Sequence, residues 1–432
     1  MNLTNIKDKI IKIANKSLFK DTSWLLIARL INVFVQAAYF IILARSLGAK
    51  NYGSFVGVSA LASLLFPFAS LGSDDVLVKE VSVNRQAFPS YWGNTLLILS
   101  INSLAIAGCL LLFARVIFPD DVSQLAIAFL LVADLLGLGL QEASNKALRA
   151  VGLVNKAAQL IVFNTISKLI AVICLVIFAD RLGSSDYIGV ASWSILYFVA
   201  SFIVSSVALL TINKMVARPR LNLSRVKSDI VQGIYFSIGM SASNINNNID
   251  KTMLASMASL DATGIYASAY RFVNIGDVPT LALFNASYPR FFKQGSLGLT
   301  SCLNFAKKLL PILLTYGIVC FAAFQIFAPL IPKILGAEYQ NAIATLRWLA
   351  ILPLISGLQL LAANTLTGLG YQKIRSIIQV VAAVINVFLN IWLIPIFGLY
   401  GAIWATLTSD SIRVMCLVAV LFFLYRSHRK LK

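Results

Sequence analysis

Charged side chains inside long apolar stretches are the residues of this sequence best able to do chemistry. An ionised side chain at the centre of a bilayer costs about 2.5–3.5 kcal/mol on insertion scales, so it faces water or a partner. The surplus of basic over acidic residues within these stretches predicts a cavity that receives an anion. The charged residues concerned are Arg29, Lys168, Lys251, Arg271, Arg347, Arg413, Asp134, Asp250, Asp277 and Asp410.

Four of the basic residues are the predicted anion-binding cations. Lys168, Lys251 and Arg271 lie too deep in their stretches to reach a membrane surface. Arg29 joins them, although it follows Trp24 by five residues and could extend to the interface instead.

The remaining charges have alternative explanations. Arg347 lies near the start of its stretch and could extend to the interface. Asp410 and Arg413 are three residues apart on one helical face and could pair with each other. A desolvated carboxyl can exchange a proton near neutral pH, so three acids are candidates for coupling to H⁺ or Na⁺. These are Asp134, Asp250 and Asp277.

Residues 241–252 form the most polar part of any long helical stretch. Helical spacing puts polar side chains on one face and asparagines beside it: Ser243, Asn247, Asp250 and Lys251, with Asn244 and Asn248. Hydrogen bonds between helices, typically about 0.6 kcal/mol each, could explain one or two of them. The number of polar residues favours a hydrated groove that offers hydrogen-bond donors and acceptors to a polar ligand.

Two other stretches carry polar residues that could line the same cavity. Tyr270 and Asn274 follow in the next stretch, where the tyrosine ring could stack on the ring of a ligand. Asn32 and Gln36 are four residues apart in the first stretch and share a helical face. All four are predicted to line the cavity.

The elements that position these residues are membrane helices. Hydrophobic residues make up 59% of the 432 residues and charged residues only 12%, which excludes a soluble globular fold. A spanning helix needs about 20 mostly apolar residues. The sequence predicts an all-α polytopic membrane protein with twelve spans: 24–44, 53–71, 93–118, 124–144, 158–179, 188–212, 230–258, 265–288, 309–331, 342–365, 376–397 and 399–425.

The distribution of basic residues predicts the orientation of these spans. Of 36 Lys and Arg residues, 25 lie in seven segments on one side and five in the segments on the other. The positive-inside rule makes the first side cytoplasmic, with both termini there. Since the basic residues form short clusters between apolar runs, they indicate topology and not nucleic-acid binding.

The chain divides into two halves of six spans each. We predict a cytoplasmic interfacial amphipathic helix over 1–21, an N-lobe over 22–212, a cytoplasmic linker over 213–229 and a C-lobe over 230–432. Similar turns occur in the same order in both halves, including 148–152 against 366–370. They predict two lobes related by a parallel repeat around a central cavity.

This organisation resembles the bacterial polysaccharide flippases, in the superfamily that also holds MATE-type multidrug exporters and the lipid II flippase. The resemblance rests on the span count, on 47–53 and 335–339, and on small residues and asparagines between 364 and 405. It implies a flippase of the inner membrane that moves undecaprenyl-diphosphate-linked oligosaccharides, such as O-antigen units, to the periplasmic leaflet by alternating access. The implied partners are this lipid-linked substrate, membrane lipids, and the polysaccharide polymerase and chain-length machinery.

Other functions fit the sequence less well. A cation-coupled multidrug exporter of the same fold would require a net acidic cavity. A polysaccharide polymerase or ligase would require large outward loops, whereas the longest predicted outward connection has about ten residues. The chain has no GxxxxGK[ST] loop and a single histidine, His428, which excludes a Ser-His-Asp triad and an HExxH site. We therefore expect a transporter without a cofactor, apart from a coupling ion.

Overall fold

A computed structural model describes the backbone of residues 3–181 and 189–430. It describes the side chains of residues 32–179, 189–238, 240–241 and 243–427. The predicted interfacial segment 1–21 and the candidate cation Arg29 therefore lie outside the residues whose side chains are described.

The described backbone is helical, and none of its residues forms a strand. Short 3₁₀ turns and one π-helical segment connect some of the α-helices. The α-helices are α1 Leu3–Ala69, α2 Ser73–Val83, α3 Phe88–Ile117, α4 Gln124–Val132, α5 Leu138–Ala150, α6 Val154–Arg181, α7 Val190–Met215, α8 Leu223–Met257, α9 Leu260–Ser296, α10 Leu299–Phe327, α11 Ile331–Leu335, α12 Ala342–Leu349, α13 Leu352–Gly368, α14 Gln372–Phe397 and α15 Leu399–Lys430.

The helices coincide with the predicted spans. Nine stretches of the described residues are long and apolar enough to cross a membrane. One of them, Asn32–Ala69, overlaps two predicted spans, 24–44 and 53–71, because α1 continues through a kink at Gly48. The helices α8 and α9 have 35 and 37 residues, so they are long enough to span but too polar to be among the nine.

The kink at Gly48 is a break in backbone conformation within α1. Gly48 has φ 70° and ψ 174°, values that favour glycine because a Cβ would be strained there. The helix restarts at Ala49, whose backbone N–H donates to Oε2 of Glu338 at 2.8 Å. The Glu338 carboxylate thus satisfies a backbone donor that the interrupted helix leaves open.

Residue contacts group the chain into two units. Unit 1 comprises residues 1–46 and 65–241, and unit 2 comprises residues 47–64 and 242–432. These units are defined by contacts, whereas the lobe boundaries at 212 and 230 are predicted from the sequence and stay a prediction.

Each unit packs through buried apolar and small residues, since lipid supplies little hydrophobic force between helices. In unit 1, Trp92 of α3 is fully buried among Leu77 of α2 and Ala147 of α5. In unit 2, Phe291 of α9 packs with Leu361 of α13. These cores hold the helices that carry the polar residues described next.

Candidate substrate and ion sites

Asp250 and Lys251 of α8 form a buried ion pair in unit 2. Nζ of Lys251 lies 3.4 Å from Oδ1 of Asp250, and only 2% of Asp250 and 8% of Lys251 are exposed. The same ammonium donates to the backbone oxygen of Asn247 at 2.5 Å and lies 4.6 Å from the ring centroid of Tyr270. Lys251 therefore has a carboxylate, a carbonyl and an aromatic ring as neighbours, which together compensate its burial.

The second oxygen of Asp250 binds a tyrosine from the next helix. Tyr266 of α9 is fully buried, and its hydroxyl donates to Oδ2 of Asp250 at 2.5 Å. Its Oη also lies 3.0 Å from Oγ1 of Thr406 on α15. Asp250 is thus the centre of a hydrogen-bonded group that joins α8, α9 and α15.

The asparagine-rich part of α8 is held by bonds of its side chains to neighbouring helices. Asparagine has a weak helix propensity, because its amide competes for backbone groups. Asn244 donates from Nδ2 to the backbone oxygen of Ser63 on α1 at 2.8 Å. Asn246 donates a hydrogen bond to the carboxylate of Asp410 on α15.

A polar face remains exposed on α8 and α9. Asn247 of α8 is exposed, and so are Arg271 and Asn274, which are three residues apart on α9. The guanidinium of Arg271 donates to the hydroxyl of Tyr52 in α1. Exposed amides and a guanidinium within a spanning helix are unfavourable next to lipid tails, so this face suits water or a polar ligand.

Asp410 and Arg413 pair with each other on α15. Nη2 of Arg413 lies 2.8 Å from Oδ1 of Asp410 and donates to Oε1 of Gln359 at 2.6 Å. The pairing that the three-residue spacing allowed is therefore present. Arg413 is therefore bound to side chains of α15 and α13.

Further polar residues of unit 2 lie on α9 and α14. The Asp277 carboxylate receives a hydrogen bond from Ser356, while its Oδ1 has no hydrogen-bond partner among the described residues. Asn386 of α14 donates to Ser409 of α15 at 2.9 Å, and Asn390 donates to the backbone oxygen of Asn386 at 2.8 Å. Both asparagines are buried polar residues of the same unit.

Unit 1 contains a separate group around Tyr197 of α7. The Tyr197 hydroxyl donates to Oδ1 of Asp134 at 2.6 Å and accepts from Nζ of Lys168 at 3.2 Å. Nζ of Lys168 also lies 4.8 Å from the centroid of the Tyr197 ring. Asp134 belongs to a π-helical segment, Ala133–Gly137, between α4 and α5. Such segments are frequent at functional sites.

The remaining predicted cavity residues of unit 1 lie on α1. Asn32 accepts a hydrogen bond from the Thr165 hydroxyl of α6 at 2.5 Å. Gln36, one turn further, is exposed. Asn32 therefore has a partner within unit 1, whereas Gln36 is available for further contacts.

Sequence reasoning missed one charged cluster of unit 1. Nζ of Lys146 lies 2.8 Å from Oδ2 of Asp74 and 2.7 Å from Oδ1 of Asp75. Ser70 donates to Oδ1 of Asp74 at 2.7 Å. These residues are about 70 positions apart in the sequence, and all of them fall in or beside predicted connections. Only the adjacent acids at the start of α2 hinted at the cluster.

All-helical spans with charged and amide side chains inside them define a polytopic membrane transporter. A family model described as "Polysaccharide biosynthesis protein" matches residues 18–294. The chain belongs to this family, since the match covers more than half of its 432 residues. No curated relative matches the chain.

Several solved structures of membrane transporters share the fold. An inward-facing multidrug resistance MATE family transporter aligns with a TM-score of 0.71 at 16% identity, over 93% of this chain and 99% of that chain. The lipid II flippase MurJ in an inward closed conformation aligns with a TM-score of 0.66 at 14% identity, over 92% and 87%. An outward-facing MATE family transporter aligns with a TM-score of 0.61 at 17% identity, over 96% and 97%. At these identities the likeness shows the fold alone.

Proposed function

We propose that this protein moves undecaprenyl-diphosphate-linked oligosaccharides, such as O-antigen repeat units, from the cytoplasmic to the periplasmic leaflet of the bacterial inner membrane. The observation that carries the proposal is that α8 and α9, two helices of spanning length that meet at Lys251 and Tyr270, leave the polar side chains of Asn247, Arg271 and Asn274 exposed. Amides match sugar hydroxyls, and a guanidinium matches a diphosphate. Membership of a polysaccharide biosynthesis family supports this substrate class.

The proposed transport uses alternating access, in which the polar head of the lipid passes along the protein while its chain stays in the bilayer. Lys168 and Lys251 lie within hydrogen-bonded groups with Asp134 and Asp250. Binding of H⁺ or Na⁺ at these carboxylates would change how firmly each lysine is held. We propose Asp134 and Asp250 as coupling acids on this basis, and Asp277 as a third because its Oδ1 is buried without a hydrogen-bond partner among the described residues.

The same proposal extends to partners and to orientation. A flipped repeat unit is used by a polysaccharide polymerase and its chain-length machinery, so these are the partners we propose. Both termini would be cytoplasmic, since most Lys and Arg residues would then lie inside.

Arg271→Gln tests the proposed substrate contact. Loss of a hydrogen bond to a charged group costs about 1.5–3 kcal/mol, which corresponds to roughly tenfold or more in affinity. We expect surface polysaccharide to fall by about that factor and lipid-linked repeat units to accumulate on the cytoplasmic side, at an unchanged amount of protein in the membrane. Polysaccharide would be measured on gels, and the lipid-linked units by mass spectrometry.

The matched control is Arg290→Gln, the same change at an exposed arginine of α9 beyond the predicted span. It should leave the amount of polysaccharide unchanged. Equal polysaccharide in both variants would contradict the substrate contact. A loss of drug resistance without a loss of polysaccharide would instead indicate a multidrug exporter.

A further inference from the structure

The surface of unit 2 carries a groove that the proposed transport does not use. It lies between α10 and α15 and has α12 and α13 as its floor, with a volume of about 540 Å³. Its lining residues include Phe321, Gln325, Arg347, Trp348, Ile355 and Leu407. None of them is a predicted substrate or coupling residue, so the groove requires a separate explanation.

One end of the groove is polar because of Arg347. This exposed arginine lies five residues after α12 begins at Ala342, which is about 7.5 Å along the helix axis. Gln325 donates to the backbone oxygen of Arg347 at 3.0 Å. This hydrogen bond involves the backbone of Arg347 and not its guanidinium. Among the described residues, no carboxylate lies within 4.0 Å of that guanidinium.

A second recess adjoins this end of the groove. It has a volume of about 460 Å³, shares Arg347 and Trp348 with the groove, and adds the amides of Gln340 and Asn341. Arg347 therefore stands between a recess with amide donors and a groove with apolar walls. Extension of a lone arginine to the interface would explain its position but would not require either recess.

Apart from Gln325 and Ser411, the rest of the groove is lined by apolar residues. Phe321 is 40% exposed and Trp348 50% exposed, and both belong to stretches apolar enough to span a membrane. Trp348 lies near the start of its stretch, where tryptophan is typical of the membrane interface, whereas Phe321 lies deeper. The occupant must therefore be an amphiphile that enters sideways from the membrane.

We propose that this surface binds an anionic phospholipid of the surrounding bilayer. Its phosphate lies at Arg347 and the amides of Gln340 and Asn341, and one acyl chain lies along the groove past Phe321 and Trp348. The unpaired guanidinium supplies the charge complementarity, and a basic pocket between membrane helices is a known form of lipid headgroup site. The proposal does not depend on the transported substrate.

The fluorescence of Trp348 reports directly on the occupant. Full-length protein is placed in bilayers of phosphatidylcholine that contain a small fraction of brominated phosphatidylglycerol or, separately, of brominated phosphatidylcholine. The fluorescence of Trp348 is obtained as the difference between the emission of the parent protein and that of the Trp348→Phe variant. We expect about fivefold enrichment of the anionic lipid at Trp348, seen as stronger quenching than by the neutral lipid at the same fraction.

Three comparisons make the result specific. Arg347→Gln should abolish the difference between the two brominated lipids, whereas Arg347→Lys should keep part of it. The Trp392 component, obtained with Trp392→Phe, is the control, because Trp392 is 66% exposed on α14 and does not line the groove. It should show equal quenching by both lipids.

Equal quenching of Trp348 by both lipids in the parent protein would overturn the proposal. So would displacement of the brominated lipid by equimolar undecaprenyl phosphate, since the groove would then prefer the polyprenyl chain. Neither result would bear on Arg271 and the proposed transport.

Discussion

At the scale of single residues, the charges inside this protein are arranged as compensated groups. Lys251 has Asp250, the Asn247 carbonyl and the Tyr270 ring around it. Lys168 has the ring and hydroxyl of Tyr197. Compensation of this kind allows an ion to exist in a low-dielectric interior, and removal of one partner leaves the other exposed to the desolvation penalty.

Tyr197→Phe tests this compensation in unit 1. The change removes the hydroxyl that donates to Asp134 and accepts from Lys168, and Tyr197 is only 3% exposed. A buried polar group that loses its partner costs about 1–3 kcal/mol, so we expect a lower midpoint of thermal unfolding. The midpoint is measured in detergent by tryptophan fluorescence.

Tyr425→Phe provides the comparison, because Tyr425 is 42% exposed near the end of α15. It should unfold at the temperature of the parent protein. A Tyr197→Phe protein with the same midpoint would show that the hydroxyl contributes nothing to the stability of unit 1.

Local spacing predicted some of these partners and could not predict others. Asp410 and Arg413 are three residues apart, so their pairing could be anticipated from the helical repeat. Tyr266 and Thr406 are separated by 140 positions, and their contact depends on how α9 and α15 pack. The sequence therefore identifies which residues are out of place in a membrane, whereas packing decides which of them meet.

At the scale of helices, close backbone approach explains why particular glycines are needed. Gly264 of α9 crosses Gly53 of α1 so closely that a Cβ on Gly264 would overlap the backbone oxygen of Ala49. A Cβ on Gly53 would likewise overlap the backbone oxygen of Leu260. Small residues at such crossings let membrane helices gain van der Waals contact. The crossing also places Tyr52 where it meets Arg271.

Gly264→Ala should destabilise the protein, although alanine is the better helix former. The gain in helix propensity is about 1 kcal/mol, whereas overpacking against a backbone atom costs about 1–3 kcal/mol. Gly108→Ala on α3 is the matched control, because a Cβ there meets nothing within 4 Å. Chemical or thermal unfolding should show a lower stability for Gly264→Ala than for the parent protein, and an unchanged stability for Gly108→Ala. A stabilised Gly264→Ala protein would contradict the close approach.

At the scale of the whole molecule, the two halves repeat a detail of backbone structure. Helix α5 ends with the N–H of Leu153 bound to the oxygen of Leu148 at 2.8 Å, and Gly152 has φ 83°. Helix α13 ends with the N–H of Tyr371 bound to the oxygen of Leu366 at 2.9 Å, and Gly370 has φ 86°. Both ends have the hydrogen bond and left-handed glycine of a Schellman motif. The match is consistent with the predicted repeat.

The extent of the helices was largely predictable because apolar length is a direct requirement of the bilayer. The helix α14 runs over Gln372–Phe397, against a predicted span of 376–397. The helix α2 was not predicted, since eleven residues within a charged connection carry no signal of a span. Contacts also group residues 47–64 with the C-terminal half of the chain, although these residues belong to the N-terminal half of the sequence. No local sequence pattern predicts this grouping.

Cysteine labelling tests the predicted orientation of the whole chain. Ser123 lies between α3 and α4 on the predicted outer side, and Ser224 lies in the basic stretch before the polar part of α8; both are exposed. In a chain whose five native cysteines are replaced by alanine, an impermeant maleimide should label Ser123→Cys in cells with a permeable outer membrane. Ser224→Cys should react only after the inner membrane is opened.

The physical reason for this expectation is the cluster of basic residues around Ser224. In the opposite orientation five of them would have to be translocated: Lys214, Arg218, Arg220, Arg225 and Lys227. Labelling of Ser224→Cys in intact spheroplasts would therefore contradict the predicted orientation. The side of the protein that we assign to the cytoplasm would then face the periplasm.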